Sequence, residues 1–327
     1  GLSPSVKSAL ADNLDVITRY PDRDYKALRE TIAAYCSVNT DQVAVGNGST
    51  ELISLLIGHR KAKHALVVGP TYSEYERELS LTGGSMSYYN LKEHEDFHLD
   101  PSDLLKSLPP ETDFLILCTP NNPTSSAVRQ ENIETILSAC KKRGIFVMID
   151  ETYVEFAPCI EEITAMPLTK IFDNLMVIRG VSKFYAAPGL RLGYGVTGNQ
   201  EFLSSLKRCQ NPWSLNSIAA FAGEKMLQDT AYIKETRALI LSQRKQLCKT
   251  LREVPFLKIY EPYANFILVR LLKEGLTSHQ VFEHAIRQGL MIRDCSSFKS
   301  LEGEYIRFCI MKPEDNARLI QCLKELP

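Results

Sequence analysis

Short apolar runs alternate with amphipathic stretches through the first two thirds of the chain, and this alternation leaves few folds open. The runs at 43–45, 65–68, 86–89, 114–117, 145–149, 175–178 and 192–196 have the length and composition of buried strands. Helical periods lie between them. In 131–143, Ile133, Ile136, Leu137 and Cys140 fall at i, i+3, i+4 and i+7, giving one buried stripe. Lys141, Lys142 and Arg143 follow at the end where positive charge suits the helix dipole. Strands joined through helices pair in parallel, because each must cross over the sheet before returning beside it. The pattern therefore predicts an α/β fold: a three-layer αβα domain on a mostly parallel seven-stranded sheet. After about Ser214 the texture changes. Long helices are expected over 214–251, then short strands at 258–260, 266–270, 291–293 and 305–310, with helices near 278–288 and 313–326. This reads as a smaller α+β domain. The expected division is 20–228 for the large domain, and 1–19 with 229–327 for the smaller one.

Composition narrows the function. With 327 residues, 44% of them hydrophobic, the chain has enough apolar material for this arrangement. Lys+Arg 38 against Asp+Glu 39 gives a formal charge of −1, so no face is forced to be basic and nucleic acid is not an expected partner. The apolar runs are too short to span a membrane. Gly1-Leu2-Ser3-Pro4 opens no basic-then-apolar signal, and nine scattered cysteines form no C-x-x-C pair. Reduced cysteines and a cytoplasmic location are the expectation.

Chemistry-bearing residues sit where the expected strands end. Strand 43–45 runs into Gly46-Asn47-Gly48-Ser49-Thr50-Glu51 and a helix. A glycine turn opening a helix aims backbone N–H groups and the positive helix end at an anion. Glu51 occupies the third glycine position of the dinucleotide fingerprint, and no acid closes the next strand, so a nicotinamide site fits poorly. Tyr72 follows the second strand, where an aromatic ring can stack on a planar cofactor, and Asn121-Asn122-Pro123 follows strand 114–117. Asp150 ends strand 145–149; a carboxylate there is costly to bury without a cationic partner. Tyr153 lies three residues on. Ser182-Lys183 follows strand 175–178, and Arg191 precedes strand 192–196, placed to grip a phosphate bidentately. Arg307 lies among apolar residues in a strand of the smaller domain, so its charge needs a partner: a substrate anion, or a structural ion pair. An amine for covalent attachment, an acid for a ring nitrogen and a phosphate cradle are together what pyridoxal 5'-phosphate requires. His94-Glu95-Asp96-Phe97-His98 matches H-E-x-x-H, but Asp100-Pro101 follows at once, so it reads as a solvated loop and no metal site is expected.

In this order and spacing, the motifs resemble those of class I/II aminotransferases, enzymes of pyridoxal-phosphate fold type I. The resemblance covers essentially the whole chain. SKFYAAPGLRLGYG, QNPWSLNS, YANFILVR and MIRDCSSF resemble the branch of threonine-phosphate decarboxylases, with histidinol-phosphate aminotransferases next. The resemblance implies that Lys183 holds the cofactor covalently and moves protons, and that Asp150 pairs with the pyridine nitrogen. It implies that Tyr153 and Asn122 hold the ring oxygen, that Tyr72 stacks on the ring, and that Ser49, Thr50, Ser182 and Arg191 bind the cofactor phosphate. Tyr20 would reach the phosphate of a neighbouring subunit, which implies a homodimer. Arg307 would grip the acidic group of a small-molecule substrate, and Arg293, with Lys299 near it, is a further substrate-anion candidate. In the family Asn-Asn-Pro-Thr is usually followed by glycine, whereas Ser125 follows here. Members also carry an N-terminal arm over the substrate pocket, and Gly1 is expected to begin after it. The implied activity is decarboxylation of a small phosphorylated amino acid, with transamination as the alternative. A nicotinamide-dependent dehydrogenase and a non-catalytic regulator are the competing readings. The missing glycine argues against the first, and the intact Lys183/Asp150 pair against the second.

Overall fold

The computed structural model describes residues 1–326. The larger sheet holds β1 (Val43–Asn47), β2 (His64–Gly69), β3 (Ser85–Asn90), β4 (Phe114–Cys118), β5 (Phe146–Asp150), β6 (Leu175–Gly180) and β7 (Leu192–Val196). Their order is β1-β7-β6-β5-β4-β2-β3. The pairs from β3 through β6 are parallel, and β7 runs antiparallel to both β6 and β1. Each expected strand is present, with its ends moved by at most two residues.

The helices are α1 (Pro4–Asp12), α2 (Lys26–Cys36), α3 (Gly48–Arg60), α4 (Glu74–Leu81), α5 (Pro101–Ser107), α6 (Gln130–Lys142), α7 (Gln200–Cys209), α8 (Ser217–Gln228), α9 (Thr230–Arg252), α10 (Ser278–Arg287) and α11 (Pro313–Lys324). Strand pleating feeds two cores, since successive side chains leave on opposite faces. Leu115, Leu117, Val147, Ile149, Leu175 and Val177 face the layer holding Leu28, Ile32, Ile133, Ile136, Ala222 and Met226 of α2, α6 and α8. Phe114, Ile116, Phe146, Met148, Met176 and Ile178 face Leu52, Ile53, Leu56, Leu79, Phe202 and Leu206 of α3, α4 and α7. Both faces are covered, as a parallel sheet requires.

The smaller sheet, β8 (Leu257–Ile259), β9 (Phe266–Leu271), β10 (Arg293–Asp294) and β11 (Tyr305–Cys309), has the order β10-β11-β9-β8 and is antiparallel throughout. One expectation needs correction. The strand expected at 291–293 begins at Arg293, because Met291 is 82% exposed and has no core to join. The long helices expected over 214–251 are α8 and α9, separated at Asp229, whose side chain accepts the Tyr232 N–H at 3.0 Å and starts α9.

The H-E-x-x-H segment forms a single turn at Glu93–Glu95. It is not wholly solvated: Phe97 is buried and meets Tyr260 edge-on at 4.9 Å. Among the described residues no cluster of His, Cys, Asp and Glu could hold a metal ion. No described helix is long and apolar enough to cross a membrane.

Candidate active site

The C-terminal ends of the parallel strands open on one cavity of about 360 Å³. Ligands of doubly wound sheets bind at this edge, where the loops leave the sheet. The cavity is lined by Ser49, Thr50, Tyr72, Asn122, Asp150, Tyr153, Ser182, Lys183, Arg191 and Arg307. The sequence scatters these residues over more than 250 positions, and the topology gathers them.

One end is built for an anion. Gly48 has φ +81° at the start of α3, and Ser49 and Thr50 complete its first turn. The first N–H groups of a helix have no partner within it. Arg191 lies across the turn: a Cβ on Gly48 would come within 2.4 Å of its Nη2, so only glycine admits the guanidinium there. Gly193 serves the same close approach, since a Cβ there would come within 2.2 Å of the Ser49 nitrogen. Arg191 itself sits at φ +57°, with Nη1 donating to the Pro188 carbonyl at 3.1 Å.

The floor is acidic. Asp150 is buried and accepts hydrogen bonds from Tyr75 Oη at 2.7 Å, Thr152 N at 2.9 Å and Thr152 Oγ1 at 2.5 Å. Neutral donors hold it in place, and among the described residues no lysine or arginine is ion-paired with it. Burial, reinforced by the Asp150 charge, pushes the Tyr75 phenol far above its usual range, so it remains a donor. Burial likewise raises the Cys118 thiol on this floor, with Asp150 adding to the effect, which keeps it an inert neutral wall. Tyr75 and Thr152 escaped the sequence reading. The available signal was Tyr75 with Leu79 at i, i+4 in α4, an apolar stripe carrying a hydroxyl.

The opposite wall comes from the smaller sheet. Arg307 of β11 lies over the Phe266 ring at 4.9 Å and donates through Nη1 to Asn122 Oδ1. Its Nε is buried without a partner, and it is paired with no carboxylate among the described residues. Tyr153 packs edge-on against Phe266 at 5.0 Å; burial raises its phenol and the Arg307 charge partly offsets this. Tyr72 stands edge-on to Tyr75 at 5.6 Å.

Three candidates lie elsewhere. Tyr20 is 83% exposed, 5.1 Å from the Trp213 ring, outside this cavity. Arg293 lines a neighbouring hollow that shares Tyr72, Asn122 and Arg307 with the site, and it donates to Ser297 Oγ at 2.8 Å. Lys299, on the same hollow, is already ion-paired with Glu76. The glycine-to-serine departure has a physical account. Ser125 adopts φ +61°, the backbone region glycine favours, and its buried hydroxyl accepts the Ala264 N–H at 2.9 Å.

Residues 2–323 match the family described as Aminotransferase class I and II. The chain is 35% identical over 326 residues to the threonine-phosphate decarboxylase of Salmonella typhimurium, covering 100% of this chain and 88% of the relative. It is 32% identical to a histidinol-phosphate aminotransferase of Methanosphaera stadtmanae, covering 100% of this chain and 87% of the relative. The crystal structure of the histidinol-phosphate aminotransferase from Clostridium acetobutylicum superposes with a TM-score of 0.92 at 29% identity, over 99% of this chain and 95% of that one. A family match spanning nearly the whole length, together with a close structural superposition, settles kinship: the chain belongs to the class I and II aminotransferase family.

Proposed function

We propose that this protein is a pyridoxal-phosphate-dependent carboxy-lyase acting on a small phosphorylated amino acid, most like L-threonine O-3-phosphate. The observation that carries the proposal is the convergence of Lys183, Asp150 and the Ser49/Thr50/Arg191 cradle on one cavity. The donor set fits the cofactor. A cradle kept open by Gly48 suits a dianionic phosphate, a buried carboxylate suits a protonated ring nitrogen, and a lysine amine suits an aldehyde.

When bound, the cofactor supplies an electron sink for a bond broken at the substrate's α-carbon. This chain's residues do the rest. Ser49, Thr50, Ser182 and Arg191 anchor the phosphate, and Asp150, steadied by Tyr75 and Thr152, faces the ring nitrogen. Asn122 and Tyr153 hold the ring oxygen, and Tyr72 covers the ring face. Lys183 would hold the cofactor, and its Nζ, when free, would move a proton at the α-carbon. Arg307, with Nε unpaired and a buried stem, receives the substrate's acidic group, and Arg293 adds positive charge beside it. The reading includes a homodimer in which Tyr20 reaches the partner's phosphate site, a cytoplasmic location, and the division into 20–228 and 1–19 with 229–327.

The same residues serve transamination, and the similarity to histidinol-phosphate aminotransferases keeps that as the second reading. Which of the two follows depends on how the substrate is posed in the cavity. The test offers threonine phosphate and follows CO2 together with keto acid. Release of CO2 without keto acid supports the carboxy-lyase, and keto acid without CO2 replaces it with the aminotransferase.

A further inference from the structure

The segment Gln210–Ser214 sits against the anion end of the cavity without lining it. Glu51, one position beyond Thr50 in α3, turns its carboxylate back onto the glycine turn, and a Cβ on Gly46 would lie 2.8 Å from its Oε2. That one oxygen accepts three donors: Asn47 N at 2.5 Å, Gln210 Nε2 at 3.3 Å and Ser214 Oγ at 3.3 Å. Gln210 Nε2 also donates to the Val45 carbonyl at 2.8 Å, in the middle of β1. Asn47 makes no side-chain cap for α3, so Glu51 takes the N–H that precedes the helix and leaves those of Gly48, Ser49 and Thr50 for a ligand. The chain just beyond this segment is fastened too. The Leu215 carbonyl accepts from Tyr25 Oη at 2.9 Å, and Asn216 Nδ2 donates to the Leu190 carbonyl at 3.3 Å, beside Arg191.

We propose that Glu51 is a positioning residue for the phosphate end of the site. Held by Gln210 and Ser214, it fixes the 46–48 turn so that the helix N–H groups and the Ser49 and Thr50 hydroxyls converge on one point. Its charge is absorbed by three donors on the side away from the cavity, which is why a carboxylate is tolerated so near a phosphate dianion. The inference rests on the cavity holding pyridoxal phosphate, and its test separates the two claims.

The apoprotein is titrated with pyridoxal phosphate and with pyridoxal, which lacks the phosphate, following absorbance and thermal midpoint. Wild type binds the phosphorylated form far more tightly; equal affinity would overturn the cofactor reading itself. Glu51→Ala loses about tenfold in affinity for pyridoxal phosphate while its affinity for pyridoxal stays within about twofold, and Glu51→Gln, which keeps an acceptor oxygen, recovers most of the loss. Should Glu51→Ala fail to fold, Gln210→Ala and Ser214→Ala carry the test, each lowering affinity for the phosphorylated form alone by about threefold. Equal weakening toward both ligands, or unchanged affinity for pyridoxal phosphate, overturns the positioning role.

Discussion

At the scale of single residues, the site is a set of side chains held in place before any ligand arrives. Asp150 shows how: its second oxygen is fixed by the Tyr75 hydroxyl at 2.7 Å in the interior. Tyr75→Phe leaves that oxygen with no donor, a change that costs about 1–3 kcal/mol, measurable as a lower urea midpoint of the apoprotein. Ser125 offers a finer contrast. Ser125→Ala loses the bond to the Ala264 N–H and keeps the φ of +61°, so it destabilises by about 1 kcal/mol. Ser125→Gly loses the same bond but relaxes the backbone, so its effect is smaller, and a midpoint equal to that of the alanine variant would contradict this account. Most site residues were legible in the sequence because each stands at a strand end in a loop with its own punctuation. Tyr75 and Thr152 were not. Their role is to hold Asp150: the Tyr75 contact exists only once α4 and β5 pack together, and the Thr152 contact is a local turn two residues past Asp150 that no periodicity marks.

Between elements, two ionic links do different work. Arg179 of β6 donates from Nε at 2.9 Å and Nη2 at 2.7 Å to the same oxygen of Glu151, behind the site floor, and both side chains are buried. Removing one partner strands a buried charge, so Arg179→Met destabilises by about 3–5 kcal/mol, whereas Arg179→Met with Glu151→Leu recovers most of it. A double-mutant cycle on thermal midpoints measures this, and additive losses would contradict it. Glu93 links the larger sheet's side of the molecule to the smaller sheet. It accepts from Lys258 at 2.6 Å and Tyr260 at 2.6 Å, and lies 3.1 Å from Arg270. These donors, Lys258 first, bring its carboxyl down to about 2 from an ordinary 4.5. Because the folded-state value is depressed, the stability it contributes is fully present above about pH 4.5 and is lost as pH falls toward 2. Glu93→Gln flattens the stability profile in that window, and an acid limb unchanged from wild type would show that the link carries nothing. Strands were readable from the sequence because central parallel strands are continuous apolar runs. The short edge strand β10 was misplaced because two residues of ladder leave no periodicity, and only the partner Arg307 and the exposure of Met291 define where it begins.

Over the whole molecule, the sheet order explains why residues far apart in sequence serve one chemistry. β1, β4, β5 and β6 deliver the cradle, Asn122, Asp150 and Lys183 to one edge, and the smaller sheet brings Arg307 across from the other side. The layered fold was legible because alternating strands and helices admit only right-handed crossovers onto a shared sheet. The approach of the smaller sheet was not, since it depends on loops and on contacts such as Phe97 with Tyr260. Tyr20 and Trp213, both exposed, belong to this scale as well. The homodimer reading predicts that Tyr20→Ala weakens binding of pyridoxal phosphate several-fold while sedimentation still shows a dimer. An unchanged affinity would remove Tyr20 from the site. The central claim, that Lys183 holds a pyridoxal cofactor against Asp150, is tested most directly by borohydride reduction of the loaded protein followed by peptide mass mapping. The account predicts a phosphopyridoxyl group on the peptide containing Lys183 and loss of the visible absorbance band. A label on another lysine, or none on a protein that retains its absorbance, would contradict it.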